Sequence, residues 1–201
     1  MTGDALDPVP GDARAPRDAR DRPSRAAWIV SLVAFQAAWF AAVLGAAHRR
    51  PVLGTACVAA AVAGHVALAR RPREELAFVF AVAGGGFLVE SLGLVQGHIV
   101  YASGQPVAWL APYWIVALWA LLATAPNVTL RWLKDRLVLA AVLGAICGPA
   151  SFFAGVRLGG ARFLDAAPAL VTLAVTWAVL MPALMALSTR LDGYAALPAR
   201  R

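Results

Sequence analysis

The stretch AVAGGGFLVESLGLVQGH, residues 81–98, decides the fold. It is apolar enough for a bilayer, yet it carries one carboxylate, Glu90. At 100° per residue, Ala83, Gly86, Gly93 and Gly97 share the face of Glu90, and Ala81, Leu88, Leu92 and Val95 lie opposite. Large side chains on one side suit lipid. Small ones around a carboxylate let a second helix approach and turn Glu90 toward protein.

Five more apolar runs surround this one. The full set covers 28–47, 52–69, 76–95, 108–126, 137–155 and 167–189, each of 18 to 23 residues. About 20 helical residues cross a hydrocarbon core of ~30 Å. Backbone groups in lipid find no water, so each run is expected to be helical. The expectation is an all-α polytopic membrane bundle of six transmembrane helices. Residues 1–25 hold five Arg and five Asp with almost no large apolar side chains. They read as a disordered cytoplasmic arm before a transmembrane domain at 26–190 and a cytoplasmic tail at 191–201. The first run is too long, and starts too late, for a cleavable signal peptide.

Composition agrees. The 201 residues are 61% hydrophobic and 14% charged, with a mean hydropathy of +0.69. The net charge of +7 does not indicate nucleic acid, because the basic residues sit in loops flanking the runs. With the N-terminus inside, fourteen basic residues fall on the inner side and four on the outer, which predicts cytoplasmic termini and an inner-membrane location. Trp28, Trp109 and Trp132 lie near span ends, where indoles favour the interface. Cys57 and Cys147 lie within apolar runs and form no disulfide framework.

The chemistry-bearing residues are few. Glu90 lies about 7.5 Å below the outer boundary of its helix. Ser151 and Tyr113 fall at a similar depth, with His98 and Arg157 just above. An outward-facing pocket follows, with Glu90, Ser151 and Tyr113 as candidate catalytic groups. Gln36, Trp39, His98 and Arg157 are candidate substrate contacts. Gln36 has a competing role as a packing amide, and Thr172 and Thr176 as hydroxyls bonded one turn back. Asn127 and Thr129 follow Pro126 and are expected to satisfy a frayed helix end. His48, His65 and His98 lie at different depths, so no three-histidine metal site is expected. No HExxH, phosphate loop or nucleophile elbow is present, and no cofactor is indicated. Pro149 is expected to kink the fifth helix. The small-residue stripe Gly144, Gly148, Ser151 and Gly155 is expected to pack against the stripe around Glu90, joining the third and fifth helices.

Four segments together resemble a known family: VAFQAAWF at 33–40, GGFLVESLGLVQG at 85–97, PVAWLAPYWIVALWALLATAPNVTLRWL at 106–133 and GAICGPASFFAGVRLG at 144–159. The order is similar to the bacterial integral-membrane domain-of-unknown-function family numbered twenty-eight seventy-eight, over about residues 28–190. Its motif positions fall on Gln36, Trp39, Glu90, Trp119, Trp132, Pro149 and Ser151. The chain departs from the pattern in having Glu90 where Asp is commoner, and in lacking Ser near 127–129. The family's association with fatty-acyl-modifying enzymes implies a lipid-linked role.

Three classes of function fit these residues. One is a protein that binds or modifies a lipid or fatty-acyl compound, with Glu90 as general acid or base in an enzymatic version. Another is a small-molecule transporter built from two three-helix halves. The third is an accessory subunit whose small-residue stripes dock a partner membrane protein or a second copy. The partners expected are membrane lipids and not nucleic acid.

Overall fold

The computed structural model describes residues 24–195; the arm at 1–23 and the tail end at 196–201, parts of the expected disordered and cytoplasmic segments, lie outside the described residues. The order is α1 (Arg25–Ala47), α2 (Pro51–Leu68), α3 (Pro72–Val95), β1 (Ile99–Tyr101), α4 (Tyr113–Ala123), α5 (Leu137–Arg157), β2 (Ala161–Phe163) and α6 (Ala166–Arg190), with a 3-10 turn at Arg131–Leu133. Local chemistry sets the helix starts. The Ser24 hydroxyl accepts from the Ala27 N–H at 3.1 Å. Pro51 and Pro72 occupy first-turn positions, where their missing N–H costs nothing.

Five helices are long and apolar enough to cross a membrane. The sixth is not. α4 has only 11 residues, a rise of about 16 Å, where a 19-residue span was expected. The chain then runs as turns, and every residue from 123 to 129 is buried. Pro126 provides no N–H and disfavours a helical Ala125. Irregular backbone at membrane depth survives only when protein covers it. Here it does: Leu130 N–H bonds Ala125 O at 2.8 Å, and Thr129 Oγ1 bonds the same carbonyl at 3.3 Å.

The helices pair as hairpins. α1 packs on α2, α3 on α4, and α5 on α6. The expected contact between the glycine stripes of α3 and α5 is not made. A Cβ at Gly86 would strike the Trp119 ring of α4, and Cβ atoms at Gly144 and Gly148 would strike Trp177 and Met181 of α6. Gly86 seats the Trp119 indole, Gly148 the Trp177 indole and Gly144 the backbone of α6, so neither stripe seats the other. The facing of α3 does follow the sequence: Gly86 and Glu90 are buried, while Leu88, Leu92 and Val95 are exposed.

One end of the bundle is capped by a two-stranded antiparallel sheet, with Ile99 opposite Phe163 and Tyr101 opposite Ala161. Gly97 and Gly159, with φ of 74° and 86°, turn the chain from α3 and α5 into these strands. Ser103 Oγ ties the cap to Ala46 O at 2.8 Å. At the other end, Trp28 Nε1 donates to Thr129 O and Arg71 N–H donates to Gly193 O, so both described termini lie there together.

Candidate ligand site around Glu90

Glu90 sits on the buried stripe of α3, only 8% exposed. Tyr101 Oη donates to its Oε2 at 2.6 Å, and Trp119 Nε1 donates to its Oε1 at 3.1 Å. Tyr101 comes from β1, so pairing of the two strands fixes the donor. Its ring meets Trp114 edge-on at 5.7 Å, and Trp114 Nε1 is held by Ser103 O at 2.9 Å. Trp119 in turn stacks on Trp177 of α6, with ring centres 5.0 Å apart and planes 9° apart.

Two cavities meet at this carboxylate. The first, about 110 Å³, is walled by Trp39, Trp114, Trp119, Trp177, Phe152 and Ser151, among others. The second, about 260 Å³, lies between α3, β1 and α6 and includes Leu92, His98, Thr172, Leu173 and Thr176. Glu90, Tyr101 and Trp177 line both and form the partition between them. Leu92 is 68% exposed on the apolar outer face, so the second cavity reaches the side of the bundle.

The expected site is therefore brought together in part. Glu90, Trp39 and Ser151 share the first cavity, and His98 joins Glu90 in the second. Tyr113 does not belong: it is 39% exposed, and the hydroxyl beside Glu90 is that of Tyr101. Depth alone had favoured Tyr113; the loop folding back as a strand delivers Tyr101 instead. Gln36 and Arg157 are exposed and line neither cavity. Ser151 lines the wall of the first cavity, and among the described residues no base hydrogen-bonds it. Trp114, Trp177 and Tyr101 were not singled out. Their signal was the Trp content itself: of seven Trp, Trp28, Trp109 and Trp132 are exposed, as expected of interface residues, and the other four converge on the cavity.

A second polar cluster lies at the opposite end of α3. Glu75, fully buried, is 2.7 Å from His65 Nε2. Its Oε2 accepts from Asn127 Nδ2 at 2.7 Å and from Gly193 N–H at 3.0 Å. Lys134 Nζ donates to Asn127 Oδ1 at 2.6 Å, Asp192 Oδ2 at 2.8 Å and Ser188 O at 3.1 Å. Arg131 also pairs with Asp192, at 2.9 Å. Tyr194 Oη donates to His65 O at 2.6 Å. Burial pushes the Lys134 ammonium below its usual range, against the opposing pull of Asp192. Burial pushes the Asp192 carboxyl up, but hydrogen bonds and charge from Lys134 and Arg131 more than offset this and hold it below the usual range. Asn127 thus does more than finish a helix end: it bridges α3 to the C-terminal turn. With its bonds so fully satisfied, this cluster is a clamp. Among the described residues, no three His, Cys, Asp or Glu side chains gather as a metal would need.

A multi-pass helical membrane protein with an intramembrane carboxylate in an aromatic-walled cavity is the class these features define. The chain belongs to the DUF2878 family, described as a protein of unknown function, whose model matches residues 28–183. No curated protein and no solved structure matches it.

Proposed function

We propose that this is a bacterial inner-membrane protein with cytoplasmic termini that binds a lipid or fatty-acyl compound at the Glu90 site. The observation that carries the reading is the shared wall of Glu90, Tyr101 and Trp177 between an aromatic chamber and a cleft reaching lipid-facing Leu92. A chain entering from the bilayer between α3 and α6 meets apolar walls along the cleft. A polar end then meets Glu90. Sites of this kind combine mostly apolar lining with a few fixed polar groups. The basic-residue asymmetry supports the orientation. A carrier is the second reading, favoured by the broken α4, since interrupted helices mark many transporter sites.

A lipid with a photoactivatable group on its acyl chain, crosslinked to the full-length protein in vesicles, tests the binding reading. Labels should concentrate on cleft residues such as Leu92, Leu173 and Thr176. Labels spread evenly over outer positions such as Leu53 and Val138, with no enrichment in the cleft, would overturn it.

A further inference from the structure

Three carboxylates are buried in the described protein, and only one has no basic side chain in its hydrogen-bond network. Glu75 lies 2.7 Å from the His65 imidazole and is bridged by Asn127 to the Lys134 ammonium, and Asp192 has Lys134 and Arg131. Among the described residues, Glu90 has only the neutral donors Tyr101 and Trp119. A buried carboxyl is either protonated or paired with a cation, and the space beside Glu90 is where a cation would hold it ionised. That space is walled by the rings of Trp39, Trp114, Trp119, Trp177 and Phe152. Aromatic rings around a cation attract it through their negative faces, and quaternary ammonium ligands are recognised in such cages. An anionic carboxyl or phosphate would be repelled by Glu90, and a wholly neutral group would leave it unpaired.

We propose that the Glu90 cavity takes an organic ammonium group, with Glu90 as counter-charge and the surrounding indoles as cage. The inference rests on the reading of this cavity as the ligand site and names the chemistry of the ligand's polar end. The volume of about 110 Å³ restricts that end to a few heavy atoms, since a cavity of about 150 Å³ accommodates benzene. Glu90, Tyr101 and Trp177 stand between this cavity and the cleft of about 260 Å³, so an apolar chain attached to the ammonium and lying in the cleft would have to pass beside these side chains. The ammonium can come from a lipid headgroup or from a free amine.

The test is calorimetric titration of the full-length protein in detergent with choline and with its uncharged isostere 3,3-dimethylbutan-1-ol. The same protein, delipidated, is offered equal phosphatidylcholine and phosphatidylglycerol and read by native mass spectrometry. Choline binding at least tenfold tighter than its isostere assigns a free cation. Preference for phosphatidylcholine without choline binding assigns a headgroup. Absence of both preferences overturns the proposal. Glu90→Gln should abolish the preference, and its retention overturns the role of the charge. Should Glu90→Gln not fold, Trp39→Leu, which removes a cage ring and no hydrogen bond to Glu90, should weaken the charged probe several-fold more than the neutral one; equal weakening overturns the cage. Cleft crosslinking by an acyl probe together with no ammonium preference would leave lipid binding standing and remove only this inference.

Discussion

Glu75 and Glu90 lie fifteen residues apart on the same buried stripe of α3, about 22 Å along its axis, and are held in opposite ways. Glu75 is tied to His65, Asn127 and the Gly193 N–H, at the end where the described termini meet. Glu90 meets only neutral donors and a cavity. One stripe therefore carries a clamp at one end and a carboxylate facing a cavity at the other.

This division predicts unequal costs. Glu75→Ala leaves the Asn127 amide and the Gly193 N–H without their acceptor and removes the partner of His65. Breaking a buried pair costs about 3–5 kcal/mol. Glu90→Gln keeps one acceptor oxygen and the shape, for a loss of about 0.5–1.5 kcal/mol. Thermal unfolding in detergent should show a much larger fall for Glu75→Ala. Equal falls would mean that the clamp does not hold the fold.

Tyr101→Phe should destabilise by about 1–3 kcal/mol, because Glu90 loses its shortest hydrogen bond while buried. Tyr113→Phe should be silent within about 0.5 kcal/mol, since its side chain is exposed. The same melting measurement on both variants decides which tyrosine serves the carboxylate.

Glycines on one helix should differ by what faces them. A Cβ at Gly86 collides with the Trp119 ring, while one at Gly93 meets nothing within 4 Å. Gly86→Ala should cost about 1–3 kcal/mol through overpacking. Gly93→Ala should be neutral or stabilise by up to about 1 kcal/mol through helix propensity. Equal effects would show that Trp119 is not seated on Gly86.

Acid should expose the clamp. The Asp192 carboxyl is held below its ordinary value, so its contribution is fully present above the unfolded pKa of about 3.9. It is lost as pH falls through the lower, folded pKa, because protonation then accompanies unfolding. Asp192→Asn should lower stability at neutral pH and flatten the decline below about pH 4. Denaturant midpoints from pH 2 to 7 check this; parallel curves would contradict it.

Reporter fusions after Gly104 and Arg201 test orientation. Gly104, beside the two-stranded sheet, should report the outer compartment, and Arg201 the cytoplasm. The reverse pattern would invert the molecule.

Helicity, the presence of apolar helices of membrane-spanning length and the facing of α3 were legible in the sequence. Each follows from local rules: run length against bilayer thickness, and the angular spacing of Leu88, Leu92 and Val95 against Gly86 and Glu90. The four-segment pattern was legible too, and it gave the family. Partnerships were not. Small residues permit close approach without naming what approaches, so Gly86 and Gly148 received indoles where another glycine stripe was expected. The shortness of α4 was hidden because residues 108–112 and 124–126 continue its apolar run at both ends, and only the protein around the turns after Ala123 makes them tolerable. Tyr101 replaced Tyr113 because strand pairing between two loops sixty residues apart cannot be read from either loop alone. Sequence periodicity determined which way Glu90 points; the strand pair, the broken helix and four converging indoles decided what it points at.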